Sequence, residues 1–215
     1  MKIVLVLFEG ITALDVVGPY EVLSRLPGAD VCFAGPRTGL VRTDNRVLGL
    51  QVDVALADVP TADVLLVPGG FGVDALIADP TVLEHVRRLD ACSRYTTSVC
   101  TGSLVLGAAG LLTGLEATTH WARMDALAAY GATPVSRRVV PVGRIVTAAG
   151  VSAGIDMALT LTAELCGEDV AKAIQLGIEY DPQPPFDCGH PRSAPVHLVE
   201  QVLAFNRRRR SAQHA

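Results

Sequence analysis

The chain has 215 residues, half of them hydrophobic, with a formal net charge of −4 and a sequence pI of about 5.7. That size and apolar content predict one substantial α/β domain with a sizeable core, and the acidic balance excludes an electrostatic case for nucleic acid as the main partner. The five cysteines include no CxxC pair and no Cys/His ligand spacing, so no zinc site is suggested, and their odd number predicts reduced thiols and a cytoplasmic location over a disulfide framework.

Ile3 to Phe8 is a continuous apolar, β-branched run, as expected of a parallel strand covered on both faces. It stops at Glu9 with no clear small-residue cleavage site after it, so it reads as a first strand and not as a signal sequence. No segment approaches the roughly 20 apolar residues of a membrane span, and a soluble chain with no membrane partner is expected. Pro19 is placed to open a helix through Tyr20, Leu23 and Leu26 to Pro27-Gly28. Asp15 then falls just beyond the carboxyl end of the first strand, on the edge where open α/β sheets bind ligands. Its neighbours Leu14, Val16 and Val17 would leave a carboxyl poorly solvated and favour its protonated form. By local pattern alone, Asp15 reads first as a helix-cap or turn aspartate.

Val31 to Ala34 reads as a second strand, and the alternating character of residues 37–53 predicts a hairpin or edge strands. Asp63 to Val67 is another buried strand, ending in Pro68-Gly69-Gly70-Phe71-Gly72. This Gly-rich turn is neither a Walker motif nor a G-x-G-x-x-G dinucleotide fingerprint. A phosphate cradle, half of an oxyanion hole and a purely structural turn all remain open for it. Asp79-Pro80 opens an amphipathic helix with Val82, Leu83, Val86 and Leu89 on its apolar side.

The stretch from Tyr95 to Gly110 organises the rest. It begins β-rich and turns at Cys100, without a spacer, into small helix-compatible residues. A strand–Cys–helix corner of this kind has the geometry of a nucleophile elbow. The helix N-terminus would favour thiolate and offer N–H groups to developing negative charge. The alternative is a buried structural thiol. Glu116 to Trp121 reads as a short strand entering a helix that extends to Gly131. His120 at that strand end reads as a hydrogen-bonded structural residue, with a thiolate–imidazolium pair as the other reading. Residues 138–140 and 144–148 read as two strands. Gly150-Val151-Ser152 leads into a long apolar helix through Leu165 with Ser152 as N-cap. A helix over 168–180, a stiff extended stretch at 181–186 and a last helix over 196–205 follow. Arg207 to Arg210 are read as a solvated tail, giving a single domain over 1–206 and a basic tail over 207–215.

Together these segments resemble the ThiJ/PfpI superfamily, a class I glutamine amidotransferase-like group, and within it the isocyanide hydratases. The resemblance rests on Leu14 to Pro19, Pro68 to Gly70, Ser98 to Leu112, Ala117 to Trp121, Ala153 to Asp156 and Glu179 to Phe186. It implies a flavodoxin-like three-layer sandwich with a mostly parallel central sheet, a homodimer, and no cofactor or metal. It further implies Cys100 as nucleophile and Asp15 as acid/base, with Thr101 positioning sulfur or substrate. The N–H groups of Gly70 and Thr101 would form the anion-stabilising pair. Gly69, Phe71, His120, Gly150 and Val151 are candidates for the pocket. The implied reaction adds water to a small-molecule isocyanide, giving an N-substituted formamide through a Cys100 thioimidate.

Many superfamily members carry Glu in place of Asp15, and peptidase-like members place His directly after the nucleophile, where this chain has Thr101. Phe71 and Ala148-Ala149 depart from the hydratase pattern and bear on pocket size. Two other functions share the motif: a redox or ligand-sensing domain related to AraC-type regulators, and another cysteine hydrolase or glyoxalase. Sensors of that type carry a helix-turn-helix region, for which no room is expected after Phe205.

Overall fold

The computed structural model describes residues 1–213. In chain order, β1 (Lys2–Val6) leads into α1 (Ala13–Leu23). β2 (Asp30–Gly35) is followed by the antiparallel hairpin of β3 (Gly39–Arg42) and β4 (Gly49–Val52), then by the short β5 (Val54–Ala55). β6 (Val64–Val67) precedes α2 (Val73–Ile77) and α3 (Pro80–Cys92), and β7 (Tyr95–Val99) turns directly into α4 (Gly102–Ala108). β8 (Glu116–Ala117), α5 (Met124–Ala128), β9 (Thr133–Pro134), β10 (Val139–Val142) and β11 (Ile145–Ala148) come next, followed by α6 (Ala153–Cys166) and α7 (Glu168–Gly177). One compact unit comprises Met1–Ile178; a second begins at Glu179 and contains α8 (Val196–Gln213).

The central sheet runs β10-β11-β7-β6-β1-β2-β5, parallel throughout except for the β10–β11 pair. Numbered along the chain, its five main parallel strands follow the order 2-1-3-4-5 of a flavodoxin-like sheet. β1 and β6 carry unbroken apolar runs because both of their faces are covered: Ile3 to Val6 and Val64 to Val67 are all 0% exposed. The step from β1 through α1 to β2 moves one way along the sheet, and the step from β6 through α3 to β7 moves the other way. Right-handed crossovers therefore put the two helices on opposite faces, which makes three layers. α1 and α6 pack closely at two glycines: a Cβ on Gly18 would lie 3.0 Å from Ile155, and one on Gly154 3.0 Å from both Pro19 and Val99.

Two boundaries and one capping role differ from the sequence expectation. α1 starts at Ala13, six residues before Pro19, which sits inside the helix against Gly154; tertiary packing overrides the proline start signal. Asp15 thereby lies in the first turn of α1 and not in a loop. Ser152 occupies the N-cap position of α6, but its hydroxyl makes no cap; it meets the Arg138 guanidinium at 3.3 Å instead. α8 continues through Arg207 to Arg210, since arginine is a good helix former, so these residues are helical. Residues 214–215 of the expected tail lie outside the described residues. Among the described residues no helix is long and apolar enough to cross a membrane, and no group of three His, Cys, Asp or Glu is placed to hold a metal ion.

Candidate active site

The carboxyl ends of four parallel strands deliver the predicted residues to one place. α1, following β1, brings Asp15; the turn after β6 brings Gly69 and Gly70; the corner after β7 brings Cys100 and Thr101; the loop after β11 brings Gly150 and Val151. The chain reverses its direction of travel along the sheet between β1 and β6, the switch point at which such sheets open a crevice.

Cys100 has φ of 56°, a left-handed conformation that L-residues other than Gly, Asn and Asp rarely take and that costs roughly 1–3 kcal/mol. Hydrogen bonds on both sides of the residue hold it there. Its N–H donates to Ala148 O at 3.1 Å and to Ala149 O at 3.0 Å. Its carbonyl accepts from Thr119 Oγ1 at 2.9 Å and from Ser103 Oγ at 3.2 Å. Gly102 is required because a Cβ there would overlap the Val67 carbonyl oxygen. Nothing in the sequence pointed to the support Thr119 gives, although it falls inside a motif that carries the resemblance.

Asp15 is 0% exposed. Its Oδ2 accepts from Gly69 N–H at 2.9 Å, while Oδ1 is buried with no hydrogen-bond partner among the described residues. Burial raises its pKa from 3.8 to about 7; the Gly69 N–H and the Cys100 thiol oppose the rise, and the Asp44 charge adds to it. Cys100 is 5% exposed, and burial pushes its thiol well above the ordinary cysteine range; the Asp15 charge adds to that, while N–H groups of Val151 and Thr101 directed at the sulfur work against it. Burial of the sulfur therefore works against the thiolate that a helix start favours. Desolvation of the sulfur outweighs the N–H groups at the start of a seven-residue helix.

Thr101 closes a small ring with Gly70: its Oγ1 accepts from Gly70 N–H at 3.0 Å and donates to Gly70 O at 3.3 Å. The Gly70 amide is thus engaged, and the two N–H groups facing the sulfur are those of Thr101 and Val151. Val151 itself has φ of 29°. A Cβ at Gly69 would stand 2.6 Å from Thr101 Oγ1 and 2.8 Å from Asp15 Oδ2, so glycine is what lets the carboxyl reach the turn. The His120 Nδ1 accepts from Ala122 N–H at 3.2 Å, its ring packs 5.5 Å from that of Trp121, and burial lowers its pKa. The ring also bounds Gly150, where a Cβ would lie 2.9 Å from His120 Cδ2. Phe71 is half-buried beside the Gly69-Gly70 turn.

A buried thiol and a buried carboxyl that perturb one another form a unit able to attack with sulfur and move one proton. The DJ-1/PfpI family model matches residues 1–164. The chain is 48% identical over 202 residues to the isonitrile hydratase of Pseudomonas putida, covering 94% of this chain and 88% of that protein. A crystal structure of a ThiJ/PfpI family protein from Pseudomonas syringae superposes with a TM-score of 0.91 at 38% identity, covering 98% of this chain and 89% of that one. The HTH-type transcriptional regulator CdhR of Pseudomonas aeruginosa is 33% identical over 126 residues, which is 58% of this chain and 37% of the regulator. The sheet order, the strained cysteine corner and the match over most of its length agree: this chain belongs to the DJ-1/PfpI family.

Proposed function

We propose that the chain is an isocyanide (isonitrile) hydratase, converting R–N≡C and water to R–NH–CHO. The observation that carries this reading is the Cys100–Asp15 pair, a nucleophile and an acid buried against each other. The identity to the Pseudomonas putida enzyme supports it. The terminal carbon of an isocyanide takes up both a nucleophile and a proton, and this pair supplies both.

Below about pH 7 the pair carries two protons; above it one remains, either as thiol with carboxylate or as thiolate with carboxylic acid. In the second form Cys100 Sγ bonds to the isocyanide carbon while Asp15 gives its proton to the same carbon, producing the thioimidate Cys–S–CH=N–R. The Thr101 and Val151 N–H groups stabilise charge on sulfur during the exchange. Asp15, now a carboxylate, draws a proton from water as the water oxygen attacks that carbon. One water proton ends on nitrogen and the other on Asp15. The C–S bond then breaks, releasing the formamide and restoring the one-proton pair.

The test is the rate of N-formamide formation from an aryl and an alkyl isocyanide. Cys100→Ala is expected to lose at least about a thousand-fold in kcat/KM, and the wild type to show a Cys100 adduct by mass spectrometry. Full turnover by Cys100→Ala would rule the mechanism out. Because the active form is the singly protonated pair, kcat/KM rises with pH through about 7. A second reading, a sensing domain, draws on the partial match to CdhR; it gains if neither isocyanide is turned over, and a scan of aldehydes and amides would then test the other cysteine enzymes. A homodimer working in the cytoplasm with reduced thiols completes the proposal, supported by five unbridged cysteines and by the family resemblance.

A further inference from the structure

The β3–β4 hairpin is stitched to the segment that carries Asp15. Ile11 bridges Thr43 on one side and Gly70 on the other. Gly10 N–H donates to Arg42 O at 2.8 Å, Asp44 N–H to Ile11 O at 2.9 Å, and Thr12 N–H to Gly69 O at 3.0 Å. Thr12 holds the N-cap position of α1 with extended backbone, yet its hydroxyl does not cap the helix. It donates instead to Asp44 Oδ2 at 2.8 Å, while the Thr12 carbonyl accepts from Asp15 N–H at 3.1 Å. Turning a threonine away from its own helix forgoes the cap its hydroxyl could have made. The hydroxyl gains a link from the hairpin loop to the first turn of α1.

We propose that Asp44 is a positioning residue for the Asp15–Cys100 pair: through the Thr12 hydroxyl it fixes the turn that carries Asp15, and its charge opposes a second negative charge there. The proposal rests on the reading of Asp15 as the acid/base partner of Cys100. Asp44 is the charged neighbour whose influence on Asp15 adds to that of burial. Around the same segment, Glu9 accepts from the Arg42 backbone N–H, Asp74 on α2 pairs with Arg123, and Asp156 on α6 pairs with Arg138. Arg46 stands in the same hairpin loop, its backbone N–H donating to Thr43 O at 2.7 Å. Asp44 thus acts on Asp15 from across the loop without touching the reacting atoms. The sequence offered no signal for this, since Asp44 stands 29 positions from Asp15 inside an ordinary hairpin loop.

Two variants separate charge from positioning. Asp44→Asn keeps an oxygen for Thr12 and removes the charge; Thr12→Val keeps the charge and removes the link. The first readout is the 13C NMR titration of Asp15 in aspartate-labelled protein, its resonance assigned by Asp15→Asn, which requires no isocyanide. The second is kcat and KM for an isocyanide. Asp44→Asn is expected to move the Asp15 inflection to lower pH. Thr12→Val is expected to leave the inflection in place and lower kcat about five-fold with little change in KM, and Asp44→Glu to restore the wild-type inflection. An unmoved inflection in folded Asp44→Asn, or wild-type kcat in folded Thr12→Val, overturns the proposal. A shifted inflection in a protein that hydrates no isocyanide upholds Asp44's role and defeats the hydratase reading alone.

Discussion

Asp15 pays for its place in the site with stability. In the unfolded chain its carboxyl ionises near 3.8, and in the folded chain at about 7. Between those values the folded state holds a proton that the unfolded state has released, so stability falls as pH rises through that window. Above it the full cost is on the order of 4 kcal/mol. Asp15→Asn has no proton to lose. Urea denaturation should therefore show its stability relative to wild type growing by about that amount from pH 4 to pH 8, and a difference that stays flat with pH would contradict the burial argument. Of the proposed pair, Cys100 was legible from the strand-to-helix change, whereas Asp15 reads locally as a cap or turn aspartate and was brought forward by the family resemblance. Their supports were not legible. Thr119, Ala148 and Ala149 reach Cys100 across the fold, and no local pattern encodes such a meeting. Local sequence likewise shows a helix start but not how deeply the Cys100 sulfur is buried.

At the level of elements, the elbow depends on the space that glycine leaves. α4 can start immediately after Cys100 because Gly102 passes the end of β6 with no side chain, and the Val67 carbonyl oxygen could not yield to a Cβ without moving the strand. Gly102→Ala is expected to destabilise the protein by about 1–3 kcal/mol and to lower activity more than stability, because the displaced turn carries Cys100. Denaturation midpoints together with turnover rates check both halves; wild-type values for both would show that the corner is looser than its geometry implies. Strand existence and order of appearance were readable from the apolar runs. The start of α1 was not: Pro19 is a strong local signal, but the contact of Pro19 with Gly154 outweighs it. The β3–β4 hairpin was legible from its alternation, whereas its hold on the active site was not.

For the whole molecule, the surface of that hairpin bears on assembly. Leu40, Val47 and Leu48 are 58%, 80% and 47% exposed, and the Leu40 side chain lies over Gly49 beside them. Apolar groups gathered at one place on a surface favour burial against another chain. The homodimer proposed above should therefore be weakened by Val47→Asp with Leu48→Asp. Sedimentation equilibrium is expected to show a dimer for wild type and a shift toward monomer for the double variant; an unchanged distribution would place the interface elsewhere.

The depth of the elbow also makes Cys100 a clock for the coming apart of the fold. Cys100 is 5% exposed and burial pushes its thiol above the ordinary cysteine range, whereas a cysteine in an unfolded chain has full access to solvent and ordinary acidity. Cys92, exposed at the end of α3, supplies an internal reference that is always open. Slow uptake of an alkylating reagent at Cys100 against fast uptake at Cys92 would count openings of the molecule one peptide at a time.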